Sequence, residues 1–217
     1  MRAKLRNAGI VVAVAAALAS TSSAGAVTNV RSWHFDVLLD GKRIGDHEFL
    51  LSDHGQQQEL RTRASFRVSV LLVPLYRYEH RTRELWRDGC LLEIDARTRQ
   101  NGAELSVKGE RSGDIFEVRG PEGIAQLDGC VKSFAYWEPA IVRERRLLNA
   151  QTGVYETVTV SSLGSEILEV SGRRIAAERH SLRAGKFTID VWYSSDGDWV
   201  ALESVTPEGR KLRYQAR

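Results

Sequence analysis

The sequence predicts a mainly β protein, in which roughly a dozen antiparallel strands form a highly curved sheet or an incomplete β-barrel with one plug-like α-helix. Three observations lead to this fold class. Apolar and polar residues alternate along most of the chain, and glycine-containing turn signals recur about every 8 to 12 residues. A single stretch, 128–149, has helical spacing instead. Because twist accumulates from strand to strand, so many strands rarely form a flat sheet.

The first 26 residues have the pattern of a secretory signal peptide. Basic residues at the start precede an apolar run over 8–19, and small residues close the segment at 24–26. The apolar run is well short of the roughly 20 residues that cross a bilayer. We therefore expect export by general secretion in a bacterium, a periplasmic or secreted location, and no transmembrane anchor. Residues 27–217 are expected to form a single domain.

The charge of the exported chain excludes some partners. The full sequence has a formal net charge of +3, and the charged residues of the signal segment are all basic, so the remainder is close to neutral. A near-neutral surface gives no electrostatic reason to expect nucleic acid or an anionic membrane. The sequence also lacks a calcium-loop pattern, a phosphate-binding glycine loop and a histidine pair at helical spacing. We expect no metal and no cofactor.

Hairpins account for the N-terminal half. Asp-Gly or Asn-Gly pairs, which favour tight turns, stand at 40–41, 88–89 and 101–102. Residues 60–70 form the clearest two-sided strand, since apolar side chains alternate with Arg and Ser. Pro74 interrupts the run that follows, because proline cannot donate to a ladder. The strands predicted here span 31–39, 43–52, 60–70, 76–86, 90–99 and 103–109, with a short hairpin over 114–127.

The stretch 128–149 is the exception between the two groups of strands. Pro139 suits the first helical position and Asn149 is a stop signal, so an α-helix is expected between them. With Trp137, the apolar arc of this helix is expected to pack on the concave side of the sheet; its members are Ala140, Ile141, Leu147 and Leu148. Glu144 interrupts the arc and must be solvated or paired.

Six further strands are predicted after this stretch. Glycine-containing turns separate them, including a turn at Gly164. The predicted strands span 154–163, 166–171, 174–183, 186–194, 199–205 and 211–216.

Two cysteines, Cys90 and Cys130, remain in a compartment that oxidises thiols. A disulfide between them is therefore expected, and it would fix the start of the 128–149 stretch to the middle of the sheet. The alternative is a pair of buried, inert thiols.

Several short motifs resemble an uncharacterised family of bacterial exported proteins, known only as a domain of unknown function. The motifs are Ser133–Trp137, Leu147–Gly153, Tyr76-x-Tyr78-x-His80 and Glu84-x-Trp86. This resemblance covers nearly all of the exported chain and implies no activity.

The C-terminal run is more distantly similar to the end of periplasmic half-barrel proteins of the lipoprotein-carrier kind. The residues concerned are 191–200, which include an Asp-Gly turn, and 209–214. The similarity implies a curved antiparallel sheet with a helical plug, in whose concavity those families bind acyl chains. No binding residue carries over from it.

The candidate ligand-binding residues combine aromatic and polar side chains. Five of them share one face of the strand predicted over 76–86, which a pure core would not furnish with a histidine and a carboxylate. The candidates are Tyr76, Tyr78, His80, Glu84, Trp86, Tyr136 and Trp137. For any single aromatic residue, core packing is the competing interpretation.

Three hypotheses about function remain open. The first is a non-enzymatic binding or carrier protein that holds an apolar or amphipathic, lipid-like small molecule in the concave face. The second is an envelope structural or interaction module that uses an exposed sheet edge to bind another envelope protein. The third is a hydrolytic enzyme that uses His80 and Glu84. These two lie about 13 Å apart along a strand, so a catalytic pair would need a further histidine such as His34, His47 or His180.

Overall fold

The computed structural model describes residues 29–70, 73–185, 187–206 and 209–217. The predicted signal peptide, residues 1–26, lies outside the described residues. The described chain forms fourteen strands and one short 3-10 helix, Pro139–Arg143, and these ranges contain no α-helix. The strands are β1 (Asn29–Leu39), β2 (Lys42–Asp53), β3 (Gln58–Val70), β4 (Val73–Arg87), β5 (Cys90–Gln100), β6 (Ala103–Ser112), β7 (Ile115–Gly120), β8 (Gly123–Asp128), β9 (Arg146–Leu148), β10 (Tyr155–Val170), β11 (Arg173–Ala184), β12 (Phe187–Ser194), β13 (Trp199–Val205) and β14 (Lys211–Ala216).

All fourteen strands belong to one antiparallel sheet with the order β8-β7-β6-β5-β4-β3-β2-β1-β14-β13-β12-β11-β10-β9. The first and last strands of the chain pair in its middle, where Phe35 lies opposite Ala216. The edge strands β8 and β9 are not joined by a ladder, so the sheet is not closed into a barrel. The mainly β, antiparallel prediction is confirmed.

The two halves of the open sheet nevertheless come into contact near its edges. The end of β7 packs against the loop between β9 and β10 so closely that a methyl group at Gly120 would lie 2.4 Å from the carbonyl oxygen of Thr152. Only glycine permits this approach of two backbones. The contact curls the sheet around an enclosed core.

The predicted turns at 40–41, 88–89 and 101–102 are present. In each, both central residues have positive φ, for example 48° at Asp40 and 80° at Gly41. This geometry matches the right-handed twist of the flanking strands and explains the Asp-Gly and Asn-Gly pairs.

One pair of predicted strands is a single strand. The sequence predicted a turn at Gly164, but β10 runs without interruption from Tyr155 to Val170. Gly164 has a φ of 87° and lies at a register shift against β11, so its conformational freedom serves a β-bulge rather than a turn.

We define the inner face of the sheet as the face that carries the main core, and the outer face as the opposite one. Inner-face residues that are almost completely buried come from nearly every strand; examples are Phe35, Val37, Leu51, Leu60, Ile94, Val107, Val118, Leu182, Val191 and Leu202. A second, smaller cluster involves Ala177, Trp192, Val200 and Ala201, with Leu168, Val170 and Ile175 packed against it. The distal part of the β10–β11 hairpin contributes to this second cluster.

The predicted plug helix is wrong. Helical geometry begins at Pro139, where the carboxylate of Glu138 accepts a hydrogen bond from the amide of Ala140 at 3.1 Å. It ends after a single 3-10 segment, because Glu144 is already extended with a ψ of 150°. The first turn of a helix is unfavourable because it fixes several residues for one hydrogen bond, and no further turn follows here to offset that cost.

The residues after the 3-10 helix pair with strands instead. The amide of Leu148 donates to the carbonyl oxygen of Lys132 at 2.7 Å, and its carbonyl oxygen accepts from the amide of Phe134 at 3.3 Å. On its other side, β9 pairs with β10, with Leu148 opposite Tyr155. Glu144, which interrupted the predicted apolar arc, is paired with the ammonium group of Lys132 at 2.9 Å.

The stretch 128–149 still covers the core as expected. Ile141, Leu147 and Leu148 are completely buried, Trp137 is 3% exposed, and Ala140 is half-buried. Burial by strands and loops thus replaces the predicted helical plug.

The disulfide between Cys90 and Cys130 is present, with an S–S distance of 2.03 Å. It joins the first residue of β5 to the start of the covering stretch. Next to it, the amide of Leu91 donates to the carbonyl oxygen of Val131 at 2.9 Å. The stretch is therefore tied to the sheet by one covalent bond and an adjacent hydrogen bond.

Candidate functional site

Strand β4 carries the five candidate residues predicted to share a face, and their side chains alternate inward along it. Tyr78, His80, Glu84 and Trp86 are buried, and Tyr76 is half-buried. Thr82 lies between them and is also buried. The inner face of this strand is therefore a polar and aromatic line within an apolar core.

Four inner-face residues form one row across β2 to β5. The ladders place His47 opposite Ala64, Ala64 opposite His80, and His80 opposite Thr98. The side chain between the two histidines is only a methyl group, so little separates the imidazoles, and a charge on His80 would lower the pKa of His47. The row brings together histidines that are 33 positions apart in the sequence.

Both ring nitrogens of His80 have hydroxyl partners. Nδ1 lies 2.8 Å from Oγ1 of Thr98, and Nε2 lies 2.7 Å from Oγ1 of Thr82. Hydroxyl groups donate and accept, so they satisfy a neutral imidazole in either tautomer. Burial lowers the pKa of His80 to about 4, because the charged form loses its hydration. His80 is thus neutral at physiological pH.

His47 has a different environment. Its Nδ1 lies 3.1 Å from the hydroxyl oxygen of Tyr214, but its Nε2 is buried without a hydrogen-bond partner. Although the residue as a whole is only half-buried, this atom has no access to solvent. Burial lowers the pKa of His47 to about 3, with a smaller contribution from His80. An unpaired buried polar atom costs roughly 1–3 kcal/mol, so it requires an explanation.

Tyrosines surround the two histidines. Tyr78 stacks between Phe66, at 5.2 Å, and His80, at 6.2 Å between ring centroids. Burial is the main cause that raises the pKa of Tyr136 and that of Tyr214; Tyr193 and Tyr78 add to the first shift, and Tyr136 adds to the second. These phenols stay protonated and remain able to donate and accept hydrogen bonds. We define the tyrosine–histidine cluster as His47, Tyr78, His80, Tyr136 and Tyr214.

Glu84 lies farther along β4, in a separate hydrogen-bonded group. One of its carboxylate oxygens, Oε2, accepts from the indole nitrogen of Trp86 at 3.0 Å and from the hydroxyl of Ser133 at 3.1 Å. Burial raises the pKa of Glu84 to about 7, although both hydrogen bonds act in the opposite direction. The carboxyl group thus links the sheet to the covering stretch and titrates near neutral pH.

Replacing Glu84 by glutamine is expected to remove a pH-dependent cost. Between pH 4.5 and 7 folded Glu84 binds a proton that the unfolded state releases, so the contribution of Glu84 to stability falls by about 3 kcal/mol as pH rises through this window. Glutamine keeps an acceptor for Ser133 and Trp86 without this titration. Urea unfolding at pH 4 and pH 8 measures the effect. A Glu84→Gln variant whose stability changes with pH as the wild type does would contradict the assignment.

The two candidates on the covering stretch also face inward. The indole of Trp137 stands edge-on to that of Trp86, with ring centroids 5.7 Å apart. The carbonyl oxygen of Tyr136 accepts from the hydroxyl of Tyr193 at 2.9 Å. The indole nitrogen of Trp137 is buried without a hydrogen-bond partner, like Nε2 of His47.

A model of the family described as a domain of unknown function, DUF6134, matches residues 35–217. The chain belongs to this family. A crystal structure of a beta-barrel-like protein of domain of unknown function DUF1849 from Brucella abortus is similar, with a TM-score of 0.64 and 11% identity, over 86% of this chain and 94% of that chain. At this identity the likeness shows the fold alone. No match was found among curated proteins.

The enzyme hypothesis requires His80, Glu84 and a further histidine, and in this DUF6134 domain His47 is the histidine that lies in the same row as His80. His80 is bonded to threonine hydroxyls and Glu84 to Ser133 and Trp86, so the two share no hydrogen bond. His34 is half exposed and pairs with Glu48 at 3.7 Å, away from both. The ring of His180 lies 6.2 Å from that of Tyr193 and is tilted by 51° to it. Within the described ranges, no group of three or more histidine, cysteine or acidic side chains is arranged to hold a metal ion.

Two clefts are evident in the described part of the domain. The larger, about 490 Å³, lies between the tip of the β10–β11 hairpin and β14, next to Leu38 and Ala201. The smaller, about 350 Å³, lies between β6 and the β7–β8 turn. Neither is lined by the candidate residues of β4. No helix within the described ranges is long and apolar enough to span a bilayer.

Sequence reasoning missed Thr82 on β4 itself, and it missed three members of these polar groups outside β4: Thr98, Ser133 and Tyr214. Thr98 comes from the next strand, whereas Ser133 and Tyr214 come from segments far from β4 in the chain. Each becomes a neighbour only through the path and register of another segment. A signal for Thr98 was present, because it is a buried polar residue at an inward position of β5. The turn at 88–89 determines the register between β5 and β4.

Proposed function

We propose that this chain is a non-enzymatic, periplasmic binding protein for a small amphipathic molecule, whose polar group is held at the tyrosine–histidine cluster. The observation that carries the proposal is the buried, unpartnered Nε2 of His47, whose ring lies beside those of Phe49, Phe66 and Tyr214. A ligand hydroxyl or carbonyl group would supply the missing partner.

The chemistry of the cluster favours an uncharged polar group on the ligand. Burial lowers the pKa of both His47 and His80, so both imidazoles are neutral at physiological pH. Burial raises the pKa of Tyr136 and Tyr214, so both phenols are neutral as well. Neutral donors and acceptors can pair with a hydroxyl or carbonyl group, but they provide no counter-charge for a carboxylate or an ammonium group.

The entry point would be the end of the inner face at Tyr76. This ring is only half-buried, and it stacks on Tyr78 with centroids 6.4 Å apart. Tyr78 in turn stacks on Phe66. Stacked aromatic side chains offer a flat apolar surface for a hydrocarbon chain, and ligand sites combine such surfaces with a few polar groups.

Titration with 1-monolauroylglycerol, followed by tryptophan fluorescence, tests this proposal. We expect saturable binding of this neutral lipid and weaker binding of laurate, which carries the same chain with a charged head. A His47→Phe variant is expected to bind the neutral lipid about tenfold more weakly, because one hydrogen bond of about 1–1.5 kcal/mol is lost.

The matched control is His34→Phe, which replaces an exposed histidine on the neighbouring strand. It should bind as the wild type does. Native mass spectrometry of protein purified from the periplasm provides a second readout. An interior that takes up neither lipid, together with purified protein free of bound small molecules, would contradict the proposal.

A second candidate is an interaction module that uses the edge strand β8. This strand pairs only with β7 in the sheet order, and the side chain of Ile124 on it is 59% exposed. An open strand edge can accept an extended segment of another envelope protein. Co-purification of one stoichiometric partner with a protein that holds no small molecule would favour this candidate over the first.

A further inference from the structure

A row of three arginines crosses the outer face of the central strands. The ladders place Arg63 of β3 opposite Arg81 of β4, and Arg81 opposite Arg97 of β5. All three side chains are exposed. Directly opposed residues have Cβ atoms about 4.5–5.5 Å apart, a spacing at which like charges destabilise a sheet. The three opposed arginines therefore lower the stability of the fold.

Two further arginines extend the row in the direction of the β3–β4 turn. Arg67 lies opposite Arg77, and both are exposed. We define the arginine patch as Arg63, Arg67, Arg77, Arg81 and Arg97. The outward positions of β3 from Glu59, of β4 from Arg77 to Leu85 and of β5 from Glu93 to Arg99 hold eight arginines and four carboxylates. A chain that is nearly neutral as a whole is thus strongly basic here.

Nearby carboxylates do not neutralise the patch. Arg97 has its nearest carboxylate oxygen, on Asp95, at 4.0 Å, whereas Arg63, Arg67, Arg77 and Arg81 form no side-chain ion pair within that distance in the described chain. Glu48 of β2 lies opposite Arg63 but is paired with His34. By contrast, Arg83 at the other end of β4 contacts Glu59 at 2.7 Å and Glu93 at 3.0 Å. The guanidinium groups of the patch remain available.

The shape of the surface limits the partner. The patch lies on the outside of a curled sheet. The smaller cleft borders it at Ser106, which lies opposite Arg97, but no arginine of the patch lines either cleft. A small anion would not be enclosed there. Strands β3, β4 and β5 are paired on both sides, so no extended peptide can add to them. The outward positions of β3 from Arg63 to Arg67 and of β4 from Arg77 to Arg81 include no aromatic side chain on which bases would stack. An extended array of anionic groups in a plane meets these conditions.

We infer that the arginine patch docks the protein on a membrane surface rich in phosphate-bearing anionic headgroups. A convex basic surface touches a plane along a few adjacent rows, which is where the arginines lie. The guanidinium group forms bidentate hydrogen bonds with phosphate, and polybasic surfaces are attracted to anionic lipids. Docking through the outer face leaves the tyrosine–histidine cluster and β8 free, so this inference is independent of the proposed ligand.

Co-sedimentation with vesicles tests the inference. We expect the purified protein to bind vesicles of phosphatidylcholine and phosphatidylglycerol in equal amounts, and not vesicles of phosphatidylcholine alone. Added salt shortens the screening length, and binding should fall steeply once that length is below about 10 Å. The triple variant Arg63→Gln, Arg81→Gln, Arg97→Gln is expected to bind about 100-fold more weakly.

The matched control removes the same charge elsewhere. It is the triple variant Arg87→Gln, Arg173→Gln, Arg174→Gln, whose three arginines are exposed outside the patch. Near wild-type binding of this control supports the inference, whereas an equal loss in both triple variants would show that only net charge matters and would overturn it. Binding to neutral vesicles as strong as to anionic ones would overturn it as well. So would tighter binding to double-stranded DNA than to vesicles at equal phosphate concentration. Circular dichroism confirms that each variant is folded.

Discussion

Acidification from pH 7.5 to pH 4 is expected to cost the protein about 6 kcal/mol of stability through two buried histidines. The pKa of His47 is lowered to about 3 and that of His80 to about 4, from 6.5 in the unfolded chain. Their contribution is fully present above pH 6.5. It is lost as pH falls towards the folded pKa, because the unfolded state binds protons that the folded state excludes.

Glu84 opposes this loss. Its folded pKa of about 7 lies above the value of 4.5 for an unperturbed glutamate, so its contribution grows as pH falls through this window, by about 3 kcal/mol. The net loss from the three groups is therefore about 3 kcal/mol between pH 7.5 and pH 4. In a Glu84→Gln background the full effect of the histidines should appear.

The measurement is the free energy of unfolding in urea as a function of pH. A double variant, His47→Gln with His80→Gln, should be less stable than the wild type at pH 7.5, because Thr82 and Thr98 lose their partner. Its stability should nevertheless change much less between pH 6.5 and pH 4. The control His34→Gln, which removes an exposed histidine, should keep the wild-type slope. An unchanged slope in the double variant would show that other groups cause the acid sensitivity.

Strand positions were predictable because alternation and turn chemistry are local. Asp40-Gly41 and Asn101-Gly102 require positive φ at both positions, and this marks hairpins without any knowledge of the fold. Gly164 also has a positive φ, but it lies within a β-bulge. Its glycine was interpreted as a turn, so the prediction divided β10 into two strands. Local sequence does not distinguish the two uses, because the partner strand decides between them.

The predicted α-helix failed for a related reason. Pro139 does begin helical geometry, and the burial pattern of Ile141, Leu147 and Leu148 is as expected. However, three buried positions at this spacing fit a short 3-10 turn followed by a strand as well as they fit a helix. The backbone of Leu148 is held by Lys132 and Phe134, which a pattern within 139–149 does not include.

The candidate site was predictable only where it follows a single strand. Alternation along β4 placed Tyr78, His80 and Glu84 on one face, and they are all buried there. Their partners depend on register between strands and on the path of the covering stretch, as with Thr98 and Ser133. The arginine row was equally hidden, because Arg63, Arg81 and Arg97 become neighbours only when three strands are aligned.

Removing the disulfide is expected to lower the free energy of unfolding by about 4 kcal/mol, since the bond closes a loop of 40 residues. For a domain of this size, the melting temperature should fall by roughly 10 °C. The double variant Cys90→Ser with Cys130→Ser provides the change, and calorimetry measures it. The wild type should show the same fall when a thiol reductant is added, and the double variant should not respond to that reductant.

The loss should be greatest in the stretch that the bond holds against the sheet. Without it, Val131 retains its backbone hydrogen bond to Leu91, and Ser133 retains its hydrogen bond to Glu84. These are single contacts, so amide hydrogen exchange should quicken over 131–148 more than in β1 or β14 at the centre of the sheet. Quenching of Trp137 fluorescence by iodide should rise for the same reason. Equal melting temperatures with and without the bond would mean that burial of Trp137, Ile141 and Leu147 alone holds the stretch in place, and that the cysteines act only as packed side chains.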